Sequence, residues 1–263
     1  VPCLLPALWW QPPRPAEGQF SLLALDVGQG QAVLVQTARH SLLYDAGPLY
    51  GPGSNAGDRV VVPAVRALGA RGQESGVLDM LVLSHADSDH TGGGAAVAEQ
   101  LRPAQAMGSL TLQERRQLGV QALPWRDCAA GDSWRWDGVQ FDVLHPDSPL
   151  PTGDGVAYQR SGNGRSCVLR ISAQPHRGYA AAALLLGDLE KQQEQMLVLR
   201  GTMLRADLML VPHHGSKTSS SAPLLAAVGA SQAVVQTGYR NRFGHPAAPV
   251  VQHYADWRIG LHT

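Results

Sequence analysis

The apolar segment Leu78-Asp79-Met80-Leu81-Val82-Leu83 runs directly into Ser84-His85-Ala86-Asp87-Ser88-Asp89-His90, and then into Thr91-Gly92-Gly93-Gly94. A short apolar run rich in strand-forming residues reads as a buried β-strand, and the glycines mark a tight departure from it. His85, Asp87, Asp89 and His90 therefore share one loop at a strand end. Imidazole and carboxylate hold divalent cations without redox chemistry. Asp and His are common in turns, but four of them within six positions mark a metal site. One loop cannot close two coordination spheres, so the fold has to bring further ligands to it from other strand ends.

Three other apolar runs end in such residues. His145 follows Val139–Leu144, Asp188 follows Ala183-Leu184-Leu185-Leu186-Gly187, and His213-His214 follow Leu208-Met209-Leu210-Val211-Pro212. Singly, each reads more readily as a satisfied polar residue; together they repeat one design. Strands are expected over 20–27 and 31–36, joined by the turn Gly28-Gln29-Gly30, and over 41–44, ending in Asp45-Ala46-Gly47. Further strands are expected at 78–83, 132–136, 139–144, 166–172, 179–186, 206–211 and 232–237. Helical spacing marks 58–68, 94–101, 189–200, 221–228 and 247–255, and 147–164 is a long polar loop. Strands that cluster, then alternate with helices, then repeat that order predict an α/β (αββα) sandwich: two packed sheets with helices on the outer faces. Residues 20–263 form one domain on this reading.

Composition narrows the partners. Lys+Arg and Asp+Glu both number 21, which excludes tight non-specific binding of polyanions through net charge. Cys3, Cys128 and Cys167 are too few for a disulfide framework and read as buried fillers, although one pair could bridge in an oxidising compartment. The apolar start, Val1 to Trp10, is too short to span a bilayer and lacks the basic start of a signal peptide. With Gln11-Pro12-Pro13-Arg14-Pro15 it reads as a linker over 1–19 from a preceding membrane segment, and composition alone fits a disordered end equally well.

With these motifs in order, the chain resembles the metallo-β-lactamase-like hydrolase fold, whose His-x-His-x-Asp-His motif corresponds to His85-Ala86-Asp87-Ser88-Asp89-His90. More narrowly, it is similar to the carboxy-terminal domain of the ComEC family of inner-membrane DNA-uptake channels in competent bacteria. The resemblance rests on Leu25-Asp26-Val27-Gly28-Gln29-Gly30, the run 84–93, Leu186-Gly187-Asp188, Pro212-His213-His214-Gly215-Ser216 and Asn241-Arg242-Phe243-Gly244-His245-Pro246. Gln31 departs from the acidic residue usual after that first turn, and the resemblance implies a last strand extending past Thr263.

The resemblance implies two divalent ions. His85, Asp87 and His145 would hold one, and Asp89, His90 and one of His213 and His214 the other, with Asp188 bridging. Spacing does not choose within the His pair; the assignment adopted is His214 as ligand and His213 as the group that orients substrate or carries a proton, with Asp89 and His245 completing the catalytic set. Two ions stabilise both oxygens of an in-line displacement and lower the pKa of bound water, the chemistry of phosphodiester hydrolysis. Asp87 in place of the second imidazole makes the donor set richer in hard oxygen, which favours Mn²⁺ over Zn²⁺. Asp26 and Asp45 end strands beneath the site and suit the task of orienting metal-bound imidazoles; turn stabilisation is the competing role. Tyr239, Arg240, Asn241 and Arg242, with Lys217, are candidates for holding phosphates and stacking bases. His245 would protonate the leaving oxygen or clamp the phosphate.

The expected function is thus a metal-dependent deoxyribonuclease that degrades the strand not taken up. Its expected position is a tether at the inner membrane on the extracytoplasmic face, joined to the channel domain and near other competence proteins. The alternatives are a phosphodiesterase for teichoic-acid headgroups or other small diesters, and a non-catalytic DNA-binding gate.

Overall fold

The computed structural model describes residues 13–69, 78–147, 162–175 and 178–263. The expected membrane-proximal segment 1–12 and most of the polar loop 147–164 lie outside the described residues. Residues 13–19, read as the end of a linker, lie against the sandwich. Arg14 donates to Ser41 Oγ at 2.9 Å and the His40 carbonyl at 2.6 Å, and the Gly18 N–H donates to the Asp137 carbonyl.

The strands in chain order are β1 (Ser21–Ala24), β2 (Val33–Gln36), β3 (Ser41–Tyr44), β4 (Leu49–Gly51), β5 (Ser54–Asn55), β6 (Met80–Leu83), β7 (Gln105–Gly108) and β8 (Trp125–Asp127). They continue with β9 (Ser133–Trp136), β10 (Val139–His145), β11 (Val168–Ser172), β12 (Ala182–Leu185), β13 (Leu208–Leu210), β14 (Gln232–Val234) and β15 (Gly260–His262). The helices are α1 (Val62–Ala67), α2 (Ser88–Thr91), α3 (Gly94–Leu101), α4 (Leu112–Gln117), α5 (Lys191–Leu199), α6 (Ala222–Val228) and α7 (Ala248–Asp256). The helix expected over 58–68 opens with a π-helical turn, Gly57–Val61, before α1. Strands β7 and β8, the hairpin β4–β5 and helices α2 and α4 are additions to the expected elements, while β15 is the last strand that the resemblance implied.

One sheet has the order β1-β2-β3-β6-β7-β8 and the other β15-β14-β13-β12-β11-β10-β9. Both are antiparallel at one end and parallel at the other: β3 to β8 run parallel in the first, β12 to β15 in the second. Val33, Val35, Leu42, Tyr44, Met80 and Val82 from one sheet meet Phe141, Val143, Leu169, Ile171, Leu185 and Leu210 from the other. The opposite faces are covered by α1 and α3 on one side, through Val65, Val97 and Leu101, and by α5, α6 and α7 on the other, through Leu197, Leu224, Leu225 and Tyr254. Strands buried on both faces read as unbroken apolar runs, which is why they were visible in the sequence.

Cys128 and Cys167 are buried, as expected, but they are not merely fillers: they form a disulfide with a Cα–Cα distance of 5.9 Å. It ties the segment after β8 in the first sheet to the start of β11 in the second. No helix among the described residues is long and apolar enough to cross a membrane.

Candidate metal centre

The carboxyl ends of β3, β6, β10, β12 and β13 deliver Asp45, Ser84-His85, His145, Asp188 and His213-His214 respectively. The short helix α2 follows β6 and carries Asp89 and His90. The ligand atoms of Asp89, His90, Asp188 and His214 all lie within 4.8 Å of one another. His90 Nε2 is 3.0 Å from Asp188 Oδ1 and 3.2 Å from His214 Nε2, and His214 Nε2 is 3.2 Å from Asp89 Oδ2. His85, Asp87 and His145 fall outside this group of four, with His85 Nε2 3.6 Å from Asp87 Oδ2.

Each imidazole is anchored through its far nitrogen. His214 Nδ1 lies 2.8 Å from the Gln236 carbonyl and His145 Nδ1 2.8 Å from the Ser166 carbonyl. A carbonyl only accepts, so both Nδ1 atoms carry protons and both Nε2 atoms keep a lone pair in the neutral ring. His90 Nδ1 lies 2.7 Å from Asp45 Oδ2. The same carboxylate accepts from the Ser84 N–H at 2.7 Å and the Ser84 hydroxyl at 2.8 Å. With its proton committed to Asp45, the Ser84 hydroxyl can only accept from His85 Nδ1 at 3.0 Å. A relay therefore runs from His85 through Ser84 to Asp45, and it too leaves Nε2 as the lone-pair atom. Metal ligands show this pattern, in which partners behind the imidazoles fix tautomer and ring orientation.

A divalent cation fits these residues. Asp89, Asp188 and the Nε2 atoms of His90 and His214 all present acceptors to one another, which is unfavourable without positive charge between them. The buried His85 Nε2 has no hydrogen-bond partner, as expected of an atom reserved for a cation. The electrostatics agree. Burial alone would pull His90 and His214 down, but Asp188, with Asp45 behind His90 and Asp89 beside His214, overrides it and holds both above the usual imidazole range. Burial would likewise raise Asp188, yet His90 and His214 hold it well below the carboxylate range.

Around this group the other expected residues take different places. His213 is set off from the four: its Nε2 is 3.8 Å from Asp188, while its Nδ1 is 3.1 Å from Thr218 Oγ1 and 3.5 Å from Glu190. His245 stands 6.0 Å from His213, ring to ring, with a buried, unpartnered Nδ1. Burial, then the neighbouring His213 and His214, lower its pKa. Lys217 is exposed beyond the His pair.

Asn241 lines the cleft beside Arg242, and its amide donates to the Gly238 and His245 carbonyls and accepts from the Phe243 and His245 N–H groups, which shapes the loop. One expectation requires correction. Asp26 does not support an imidazole, because Leu25 and Val27 point inward and strand alternation turns Asp26 to solvent. Its carboxylate accepts from the Gly28 N–H at 3.2 Å and stabilises the turn. Ser84, Gln236 and Ser166 are the anchoring residues that sequence reading missed. Only Ser84 carries a signal, its place inside the ligand run; the other two act through main-chain carbonyls.

A cleft of about 810 Å³ opens beside Asp87 and Asp89, walled by Tyr50 and Leu49 of the β4–β5 hairpin and by Arg242 and Phe243. Tyr239 and Arg240 line a separate cleft of about 550 Å³ with His245 and Asp26.

The fold and these ligands define a class. The model for the metallo-beta-lactamase superfamily matches residues 25–163, and the chain belongs to that superfamily. Within it, the chain is similar to two ComEC-family competence proteins. It is 36% identical over 242 residues to Competence protein ComA of Neisseria gonorrhoeae, covering 92% of this chain and 30% of that protein. It is 32% identical over 228 residues to Recombination protein 2 of Haemophilus influenzae, covering 87% of this chain and 25% of that protein. The chain thus spans less than a third of either relative. Among solved structures, the metallo-beta-lactamase fold protein YhfI from Bacillus subtilis aligns over 92% of this chain and 95% of its own, with a TM-score of 0.53 and 15% identity, a likeness of fold.

Proposed function

We propose that the domain is a two-metal phosphodiesterase that hydrolyses DNA, acting on the strand that is not transported by a DNA-uptake channel. The observation that carries this reading is the group Asp89, His90, Asp188 and His214, with anchored imidazoles, opening onto a cleft walled by a guanidinium and aromatic rings. One ion would be held by that group and a second by His85, Asp87 and His145, with Asp188 between them. Bound there, the ions supply Lewis acidity and a nucleophilic water near neutral pH. Arg242 holds the phosphate on the side of Asp87 and Asp89. His213, oriented by Glu190 and Thr218, carries a proton. His245, whose pKa is lowered by burial and by His213 and His214, donates a hydrogen bond from its one N–H to the phosphate or the departing oxygen. The oxygen-rich donor set favours Mn²⁺. The Cys128–Cys167 disulfide supports an oxidising, extracytoplasmic setting.

The test is incubation of the purified domain with Mn²⁺ and either single- or double-stranded DNA, beside Asp89→Ala. Cleavage that the substitution abolishes is expected. Binding without cleavage would replace the nuclease by a gate, and turnover of small diesters but not DNA would move the substrate to that class.

A further inference from the structure

Leu49, Tyr50 and Phe243 are 54%, 46% and 52% exposed at the mouth of the cleft that ends on Asp87 and Asp89. Large apolar side chains clustered at an open site mark a binding surface. Tyr50 is held still: its hydroxyl donates to the Val27 carbonyl at 3.0 Å, so the ring is fixed and its face is offered. Across the cleft, Phe243 carries the Arg242 guanidinium 4.8 Å from its centroid and stacks with His245 at 5.6 Å and 22°. The hairpin that bears Tyr50 is locked to the metal loop at backbone distance, since a Cβ on Gly92 would collide with the Leu49 nitrogen and the Pro48 carbonyl carbon. The hairpin that carries Tyr50 is therefore held against the metal loop by main-chain contact.

We infer that Tyr50 and Phe243 form a clamp for unpaired nucleobases, which sets a phosphate of single-stranded DNA over Asp87 and Asp89. The inference names the substrate form within the nuclease reading and rests on it. Aromatic rings and guanidinium planes stack on any base whose face is free, and paired bases inside a duplex have no free face. Ligand pockets run from about 300 to 1,000 Å³, and this cleft of about 810 Å³ lies within that range.

The experiment measures binding and cleavage separately. Fluorescence anisotropy in Ca²⁺ gives the affinity of the domain for labelled oligothymidine, for an abasic phosphodiester chain of equal length and for a hairpin duplex. Cleavage of the same three is followed in Mn²⁺. The wild type is expected to bind oligothymidine at least tenfold more tightly than the abasic chain or the duplex. Tyr50→Ala and Phe243→Ala should each lose about tenfold, towards the abasic value, while Tyr50→Phe keeps most of the affinity because the ring remains. Thermal melts of the variants check that the exposed-site substitutions leave the fold intact. Equal binding of the abasic chain by the wild type, or unchanged binding by Tyr50→Ala, overturns the clamp. Base-dependent binding without any cleavage would instead remove the nuclease reading and leave the clamp standing.

Discussion

Asp45 adopts φ 59°, a left-handed conformation that few residues other than glycine take up, while fully buried at the end of β3. That conformation turns its carboxylate to Ser84 and His90 at once, and through Ser84 it also sets the ring of His85. Removing its charge while keeping its shape should loosen both imidazoles. Asp45→Asn is expected to lower metal affinity 10- to 100-fold, read by isothermal titration of Mn²⁺ into metal-depleted protein. Asp87 makes the complementary case for metal identity. If its oxygen hardens the site, Asp87→His should shift relative turnover from Mn²⁺ towards Zn²⁺, and an unchanged ratio would show that the carboxylate does not set the preference. Asp137, remote from the site in the β9–β10 turn, accepts from Thr37 Oγ1 at 2.6 Å and the Arg39 N–H at 2.7 Å and pairs with the Arg39 guanidinium at 2.8 Å. Burial would raise it, but the bonds from Thr37, His40 and Arg39 prevail and hold it far below the carboxylate range. A depressed folded pKa contributes stability above the unfolded value of about 3.9, and that stability is lost as pH falls below it. Asp137→Asn, which still tolerates the positive φ, should therefore cost roughly 1–3 kcal/mol at pH 7 and progressively less below about pH 4, measured by urea unfolding.

At the scale of elements, the metal loop and the β4–β5 hairpin meet because glycines let them. Gly92 and Gly93 follow α2, and a Cβ on Gly92 would run into the main chain at Pro48 and Leu49. Gly92→Ala is expected to push the hairpin off the loop, at a cost of roughly 1–3 kcal/mol, with weaker DNA binding as well as a lower melting temperature. A drop in stability with unchanged binding would mean that the hairpin does not build the cleft. The contrast between these two elements explains what the sequence made legible. The metal loop stood out because an apolar run abuts ligand-type side chains, and the same signature located Asp188, His145 and the His213–His214 pair. The hairpin carries no such signal: Pro48-Leu49-Tyr50-Gly51-Pro52-Gly53 reads as turn chemistry, and its strands span three and two residues. Nor could spacing foretell that His214 and His145 lean on carbonyls of Gln236 and Ser166, because a main-chain acceptor has no residue type. Within the His pair, the structure supplies the distinction that the sequence left open. His214 is buried among carboxylates, while the half-buried His213 turns towards Glu190 and Thr218. Asp26 and Asp45 looked alike as strand-ending carboxylates, and only inward or outward facing separated a support from a turn.

At the scale of the molecule, each sheet brings two of the four clustered ligands, Asp89 and His90 from one and Asp188 and His214 from the other, so the site depends on how the sheets are held together. The inter-sheet core does most of this, but the Cys128–Cys167 disulfide crosses beside the site. Cys128 Sγ is 3.5 Å from the His145 carbonyl, the Cys167 N–H donates to the Ser84 carbonyl at 2.9 Å, and Tyr44 donates to the Cys167 carbonyl at 2.5 Å. Ser166, which anchors His145, is the residue just before Cys167. The disulfide closes a loop with a sequence separation of 39, for which chain entropy gives a stabilisation of about 4 kcal/mol. Replacing both cysteines by Ala, or reducing the wild type, should lower stability by roughly 2–4 kcal/mol. It should also release His145 and the His85–Ser84 pair before it disturbs Asp89, His90 and His214. The expected signature is therefore selective: one divalent ion lost per chain while the other stays, read by metal content after gel filtration. Simultaneous loss of both ions would mean that the crosslink supports the sandwich as a whole, and retention of both would mean that it serves stability alone.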